Sequence, residues 1–158
     1  MKDLGYVKDL HWQCLRFEEL TLSQLYAVLA ARQQVFLLEQ QCLYQDMDGL
    51  DQDAHHLIGW SDDSPTLRLC AYLRVLAPGA KFAEASLGRV LTTAAGRGTG
   101  SGRALLRRGI AETQALYPGA HLRIGAQQYL EAFYASFGFV TVSAPYDEDG
   151  IAHIDMLR

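Results

Sequence analysis

Four glycines alternate across residues 96 to 102 in the stretch GRVLTTAAGRGTGSGRALL, which runs from Gly88 to Leu106. Nothing else in the sequence limits the fold as tightly. Glycine reaches positive φ without penalty and lets a ligand or another backbone approach closely. An apolar run, Leu87 to Thr93, leads into the glycines, and a helix-like pattern containing Leu105-Leu106 follows them. The stretch therefore reads as strand, glycine loop, helix. In that order the free N–H groups of the first helical turn point outward with the helix dipole behind them. An anion placed there is held by several hydrogen bonds at once. A plain flexible turn is the competing reading, but a strand-to-helix turn needs fewer glycines than these.

The spacing rejects the two common nucleotide loops. A Walker loop ends in Gly-Lys-[Ser/Thr], a tripeptide that this sequence lacks. A dinucleotide loop needs G-x-G-x-x-G. Counted from Gly96, Gly98 or Gly100, its last glycine falls on Ser101, Arg103 or Leu105. Arg97, Arg103, Arg107 and Arg108 crowd this region of a chain whose formal net charge is −4. They form either a solvated helix face or a local seat for a polyanion. The acidic balance argues against a broad nucleic-acid surface.

The rest of the 158 residues reads as one domain. Strands are expected at Trp12–Phe17, His56–Trp60, Leu69–Leu76, Leu87–Thr93, His121–Ala126, Phe139–Ser143 and His153–Leu157. Thr21 to Gln24 has the form of a capping box, and Leu22, Leu25, Tyr26 and Leu29 extend it into a helix to about Leu37. Gln40 to Ala54 is polar, acidic and aperiodic, and reads as a loop. SDDSP and DEDG read as turns. A second helix runs from the last loop glycine to about Tyr117. In a third, Leu130, Phe133, Tyr134 and Phe137 share a face, with Gly138 as its stop. Helices interspersed among strands imply a layered α/β or α+β domain. No apolar run reaches the ~20 residues of a membrane span, and the start, MKDLGYVKDL, lacks the apolar block of a signal peptide. The three cysteines, Cys14, Cys42 and Cys70, then read as reduced cytoplasmic thiols.

Arg97-Gly98-Thr99-Gly100-Ser101-Gly102 is an R-x-x-G-x-G, and with its flanking strand and helix it resembles the acyl-coenzyme A loop of the GNAT superfamily of N-acetyltransferases. AQQYLEAFYASFGF at 126–139 is similar to that superfamily's N-x-x-A-x-x-F-Y-x-x-x-G-F, starting at Gln127. Arg32, Val35-Phe36, Glu39-Gln40, Cys42, Tyr44, Asp48, Asp51 and His56-Leu57 resemble its ElaA branch. So do Ala71-Tyr72-Leu73-Arg74-Val75 and the tail from Tyr146 to His153. Gly96 and Ser101 stand where larger or more apolar residues are usual, and Gln127 where Asn is common.

The resemblance implies a mixed central sheet of about six to seven strands flanked by helices, and acetyl transfer from acetyl-coenzyme A to an amine. The pantetheine arm would run along the backbone of Val90, Leu91 and Thr92, and a backbone N–H of that strand would polarise the thioester carbonyl. The pyrophosphate would sit on the amides of Arg97, Gly98, Thr99, Gly100, Ser101 and Gly102, with Arg103 and Gln127 as further coenzyme contacts. Tyr134 is the candidate general acid, although its place on an apolar face also suits a core tyrosine. For the base, Glu39, Asp48, Asp51, His55 and His56 gather in or near the acidic loop, which reads otherwise as a solvated charged segment. Glu39 is selected because it follows the apolar run Val35–Leu38, which suggests burial. His153 and His121 read as structural, and Cys42 as either a core or a reactive thiol. No residue cluster has metal-ligand spacing, and the calcium-loop pattern fails at Leu50. The expected partner is a small-molecule or peptide amine, with no nucleic acid, no membrane and a possible homodimer. An acyl-homoserine-lactone-synthase-like acyltransferase fits Arg32, Val35 and Phe36, a non-catalytic acyl-coenzyme A-binding module fits the loop alone, and a phosphotransferase lacks its Gly-Lys-[Ser/Thr].

Overall fold

The computed structural model describes residues 9–61 and 67–158. The turn expected over SDDSP falls almost wholly on residues 62–66, outside the described residues. Among the described residues eight strands form a single sheet: β1 (His11–Arg16), β2 (His55–Ser61), β3 (Arg68–Leu76), β4 (Ala85–Thr92), β5 (Leu122–Gln127), β6 (Val140–Thr141), β7 (Tyr146–Glu148) and β8 (Ile151–Leu157). The spatial order is β1-β2-β3-β4-β5-β8-β6, with β7 also on β8. All pairs are antiparallel except β4 with β5. The sheet exceeds the expected six to seven strands because the DEDG turn makes a hairpin of its own. Asp149 and Gly150 both take positive φ between β7 and β8, as a tight two-residue hairpin requires.

Alternation along the strands splits the interior into two layers. On one face Leu57, Leu73, Val75, Leu87, Ile124, Ala126, Ile154 and Met156 meet Leu105, Leu106 and Ile110 of α2 (Ser101–Leu116). On the other, Ile58, Trp60, Tyr72 and Leu91 meet Val28 and Ala31 of α1 (Leu22–Arg32). The capping box forms as expected: Gln24 N donates to Thr21 Oγ1 at 3.1 Å, and Thr21 N donates to the Gln24 side chain at 2.9 Å.

Two helices differ from expectation. The α1 helix ends at Arg32 and passes into a π-helical segment, Gln33–Glu39, closed by Gln40 N donating to Val35 O. A single i→i+5 turn carries no residue signature of its own, so the sequence reads it as a continuation of the α-helix. The third helix, α3, is only Glu131–Ala135, preceded by a 3-10 turn, and Gly138 stops the segment at φ +92. The strand expected over 139–143 contracts to β6.

The acidic segment 40–54 is tied to the sheet rather than solvated. Asp51 accepts from Arg32 at 2.7 Å and from Arg74 of β3 at 2.9 Å. Asp46 accepts from Arg32 at 2.8 Å and from Arg89 of β4 at 2.7 Å, and Asp48 closes the set on Arg74. Arg32 and Arg74 are almost wholly buried. His56, also buried, donates through Nε2 to Asp51 O and accepts at Nδ1 from the Tyr72 hydroxyl at 2.8 Å. Burial keeps this imidazole neutral by pushing its pKa down.

Burial alone would raise the carboxyls of Asp48 and Asp51, but the arginine hydrogen bonds and charges outweigh it and hold both below the ordinary range. A depressed folded-state pKa adds stability that is full above about pH 5 and drains as pH falls through about 4 toward the folded values. Urea midpoints should therefore drop on the acid side of pH 5. Asp51→Asn, which leaves two buried guanidiniums short of charge, should cost about 3–5 kcal/mol at neutral pH and flatten that acid limb.

Candidate active site

β4 and β5 pair only through Ala85–Leu122 and Ser86–Arg123. Beyond Ser86 they separate, and the β5-facing edge of β4 has no strand partner among the described residues. On its other edge, Tyr72 pairs with Leu91 and Arg74 with Gly88, so Arg89 and Val90 together oppose Leu73. This is a β-bulge. Arg89 takes φ +53 there, a conformation costing a side-chain-bearing residue about 1–2 kcal/mol. Its bonds to Asp46 hold it.

The gap between the strands opens into a cleft of about 350 Å³. Gly88, Arg89 and Val90 form one wall and Ile124 to Gln127 the other. Tyr134 and Leu130 close it from the α2 side. Phe36, Gln40, Tyr44 and Asp48 close it from the opposite side, with Glu148, Asp149 and His153 at the β7–β8 hairpin.

The glycine loop lies at the end of this edge. Gly98 and Gly100 take φ +73 and +78. Gly100 caps α2, and Ala104 N donates to Gly100 O at 3.2 Å. Among the described residues no carbonyl outside α2 accepts from the amides of Gly98 to Gly102. The Thr99 and Ser101 hydroxyls turn inward, donating to Gly96 O at 2.6 and 2.5 Å. Ser101 is buried, so it braces the loop and offers a ligand only its amide. Gly96 packs against the backbone of Cys70, which explains why no larger residue stands there.

The other expected coenzyme residues fall around the same track. Val90 lines the cleft, Leu91 is buried in the α1-side core, and Thr92 approaches Gly102. Arg97 bonds Thr92 O at 3.0 Å and Glu39 at 2.5 Å. Arg103 lies over Phe137, 4.7 Å from the ring centre, and bonds Ser136. Gln127 donates to Gln40 at 3.1 Å, bridging β5 to the acidic segment.

Glu39 is corrected: it is exposed rather than buried, because the π-helical turn rotates it outward to Arg97. The Arg97 hydrogen bond holds its carboxyl below the usual range. Asp51 and His56 are consumed by the buried network, and His55 does not line the cleft. Cys42 is buried in the wall with its thiol pushed up by that burial, the opposite of a reactive cysteine. Tyr134 is 6% exposed, edge-on to Phe133 and Phe139. Burial pushes its phenol up to about 12, and its hydroxyl bonds no protein group among the described residues. His153, read from sequence as structural, reaches the cleft. The signal available for it was the DEDG turn, whose hairpin brings residues 148 and 153 to one end of the sheet.

A family model described as "Acetyltransferase (GNAT) domain" matches residues 24–158. A UPF0039 protein of Synechocystis sp. is 43% identical over 149 residues, covering 94% of this chain and 95% of its own. Protein ElaA of Escherichia coli is 41% identical over 151 residues, covering 94% and 96%. The crystal structure of that ElaA superposes with a TM-score of 0.86 at 40% identity, covering 95% of this chain and 99% of its own. An acyl-CoA N-acyltransferase from Pseudomonas aeruginosa superposes with a TM-score of 0.88 at 41% identity, with the same coverage.

A methyl group on residue 96 would press directly on the Cys70 carbonyl oxygen, a backbone atom that cannot swing aside. Gly96→Ala should lower the unfolding free energy by about 1–3 kcal/mol, read as a lower urea midpoint at unchanged slope.

Proposed function

Because this chain belongs to the GNAT acetyltransferase family, on its ElaA branch, we propose that it is an acyl-coenzyme A-dependent N-acyltransferase carrying acetyl from acetyl-coenzyme A to a primary amine. One observation carries the reading: an unpaired strand edge leads straight into a cluster of unclaimed amides at a helix N-terminus. Few ligands need both at once. A pantetheine arm is an extended chain with amide groups, suited to the edge from Val90 to Thr92. A diphosphate is the anion suited to the amides of Gly98 through Gly102; the Arg97 amide, expected to join them, already donates to Thr93 O at 3.1 Å. The similar Pseudomonas aeruginosa protein is described as an acyl-CoA N-acyltransferase, which supports the same donor here.

In this reading the thioester lies in the gap between β4 and β5. A backbone N–H of the β4 edge polarises its carbonyl, and the developing oxyanion gains that hydrogen bond. Tyr134 donates a hydrogen bond, then its proton, to the departing sulfur. Its raised pKa keeps the phenol protonated at any working pH. Glu39 orients Arg97 at the mouth and takes no part in deprotonating the amine. Arg103 stacks on α3 and presents charge beside the loop, and Gln127 contacts the arm from the opposite wall.

Calorimetry should detect acetyl-coenzyme A binding, and a screen of primary amines should release coenzyme thiol. Tyr134→Phe should bind acetyl-coenzyme A unchanged while kcat falls about 10²-fold. An unchanged kcat removes Tyr134 from the mechanism, and absent binding removes the function.

A further inference from the structure

The transferase reading leaves the amine without a base, since Glu39 is paired with Arg97 and does not line the cleft. We propose that His153, held beside Glu148 on the β7–β8 hairpin, is the general base that deprotonates the acceptor ammonium. This inference rests on the transferase reading and deepens it.

Position comes first. Ile154 and Met156 of β8 enter the core under α2, so the alternate residues His153 and Asp155 face the other side of the sheet. Tyr134 lies on the α2 side. Both His153 and Tyr134 line the one cleft where β4 and β5 part. A carbonyl held in that gap has one face toward each. A nucleophile forms its bond on one side of the carbonyl carbon while the leaving group departs from the resulting tetrahedron. A base on the His153 side and an acid on the Tyr134 side match that geometry.

Orientation is fixed by the neighbours of the ring. His153 Nδ1 lies 2.8 Å from the carbonyl oxygen of Ile151. A carbonyl only accepts, so Nδ1 carries the hydrogen in this bond. Tyr146 stacks on the ring at 6.0 Å, and its hydroxyl is anchored to Asp155 at 2.6 Å. Nε2 then faces Glu148 Oε2 at 3.1 Å. In the neutral tautomer these are two acceptors side by side. Either a ring proton or the N–H of a bound ammonium satisfies both. Glu148 is half exposed and His153 buried, so a cation entering from solvent meets the carboxylate before the imidazole.

The step balances. The ammonium gives one proton to Nε2, and its freed lone pair attacks the thioester carbon. The C–N bond forms, the tetrahedral adduct collapses and the C–S bond breaks. Sulfur takes the Tyr134 proton, the new amide's nitrogen loses its second proton to restore the phenol, and the imidazolium releases its proton to solvent. One proton leaves per amide formed. The groups around the imidazole are Glu148 and Tyr146 of β7, Asp149 of the same hairpin and Gln127 of β5, and the other titratable groups lining the cleft are Cys42, Tyr44, Asp48, Lys81, Arg89, Tyr129 and Tyr134.

The test compares propylamine with trifluoroethylamine, whose ammonium is far more acidic and which is already neutral at pH 7. With propylamine, His153→Asn should lower kcat/KM about 10²-fold at pH 7 and regain it by about tenfold per pH unit as free amine accumulates. With trifluoroethylamine the variant should match the parent. Acetyl-coenzyme A affinity by calorimetry should not change. Glu148→Gln, at a half-exposed position that leaves the fold intact, should lower propylamine turnover selectively in the same way. Equal losses with both amines, or no loss with either, overturn the assignment while leaving the transferase reading intact. No thiol release by the parent protein with any amine overturns both.

Discussion

β4 and β5 stop pairing after Ser86, and the rest of the molecule answers that separation. A sheet that opens in its middle leaves backbone N–H and C=O groups without a strand partner, and these must be satisfied by water or a ligand. The eight-stranded sheet keeps its ends together because β3 holds β4 on one side and β8 holds β5 on the other. The opening is wedged from both faces. Tyr134, Leu130 and Phe139 fill the α2 side, while the π-helical turn and the acidic segment cover the α1 side. The bulge at Arg89 supplies the bend that steers β4 away from β5, and a bulge is where a strand gains local twist.

The buried arginines and aspartates are the anchor of that arrangement. Arg32 on α1, Arg74 on β3 and Arg89 on β4 reach the same three carboxylates, Asp46, Asp48 and Asp51. Buried ion pairs are poor sources of net stability, because desolvation offsets most of the attraction. Their worth here is geometric. A segment with few apolar residues cannot be packed onto a sheet by the hydrophobic effect, but charges that must be matched fix its register. Through Arg89 the same network also holds the left-handed backbone of the bulge, so the cleft wall and the acidic segment are set by one group of contacts.

Local chemistry was legible in the sequence; distant pairing was not. The glycine loop, the Thr21–Gln24 cap, the stop at Gly138 and the Asp-Gly hairpin each depend on residues within a few positions, and each appears where its residue types require it. The acidic segment was illegible because its partners are 14 to 43 residues away, and a carboxylate beside a buried arginine looks in sequence like one in water. Glu39 misled for a related reason: an apolar run implies burial of the next residue only if the helix keeps its pitch, and the π turn changes the pitch. His153 was hidden by alternation. Its neighbours Ile154 and Met156 do face the core, and strict period-2 logic places it on the opposite face without saying what covers that face. Only the hairpin and the opening between β4 and β5 turn that face into a cleft wall.

An acceptor site lined with carboxylates faces a conflict of its own. A carboxylate that draws in an ammonium also stabilises it, which raises the cost of removing the proton needed for attack. The conflict disappears if the proton moves to a base that the same carboxylate touches. Glu148 at 3.1 Å from Nε2 would stabilise the charge before transfer, on the amine, and after transfer, on the imidazolium. Its contribution then nearly cancels across the step, and attraction of the substrate does not oppose its activation. A carboxylate acting alone, such as Asp48 bound to Arg74, has no such compensation: the arginines hold its pKa low, and it would remain a weak acceptor of protons however close the amine came.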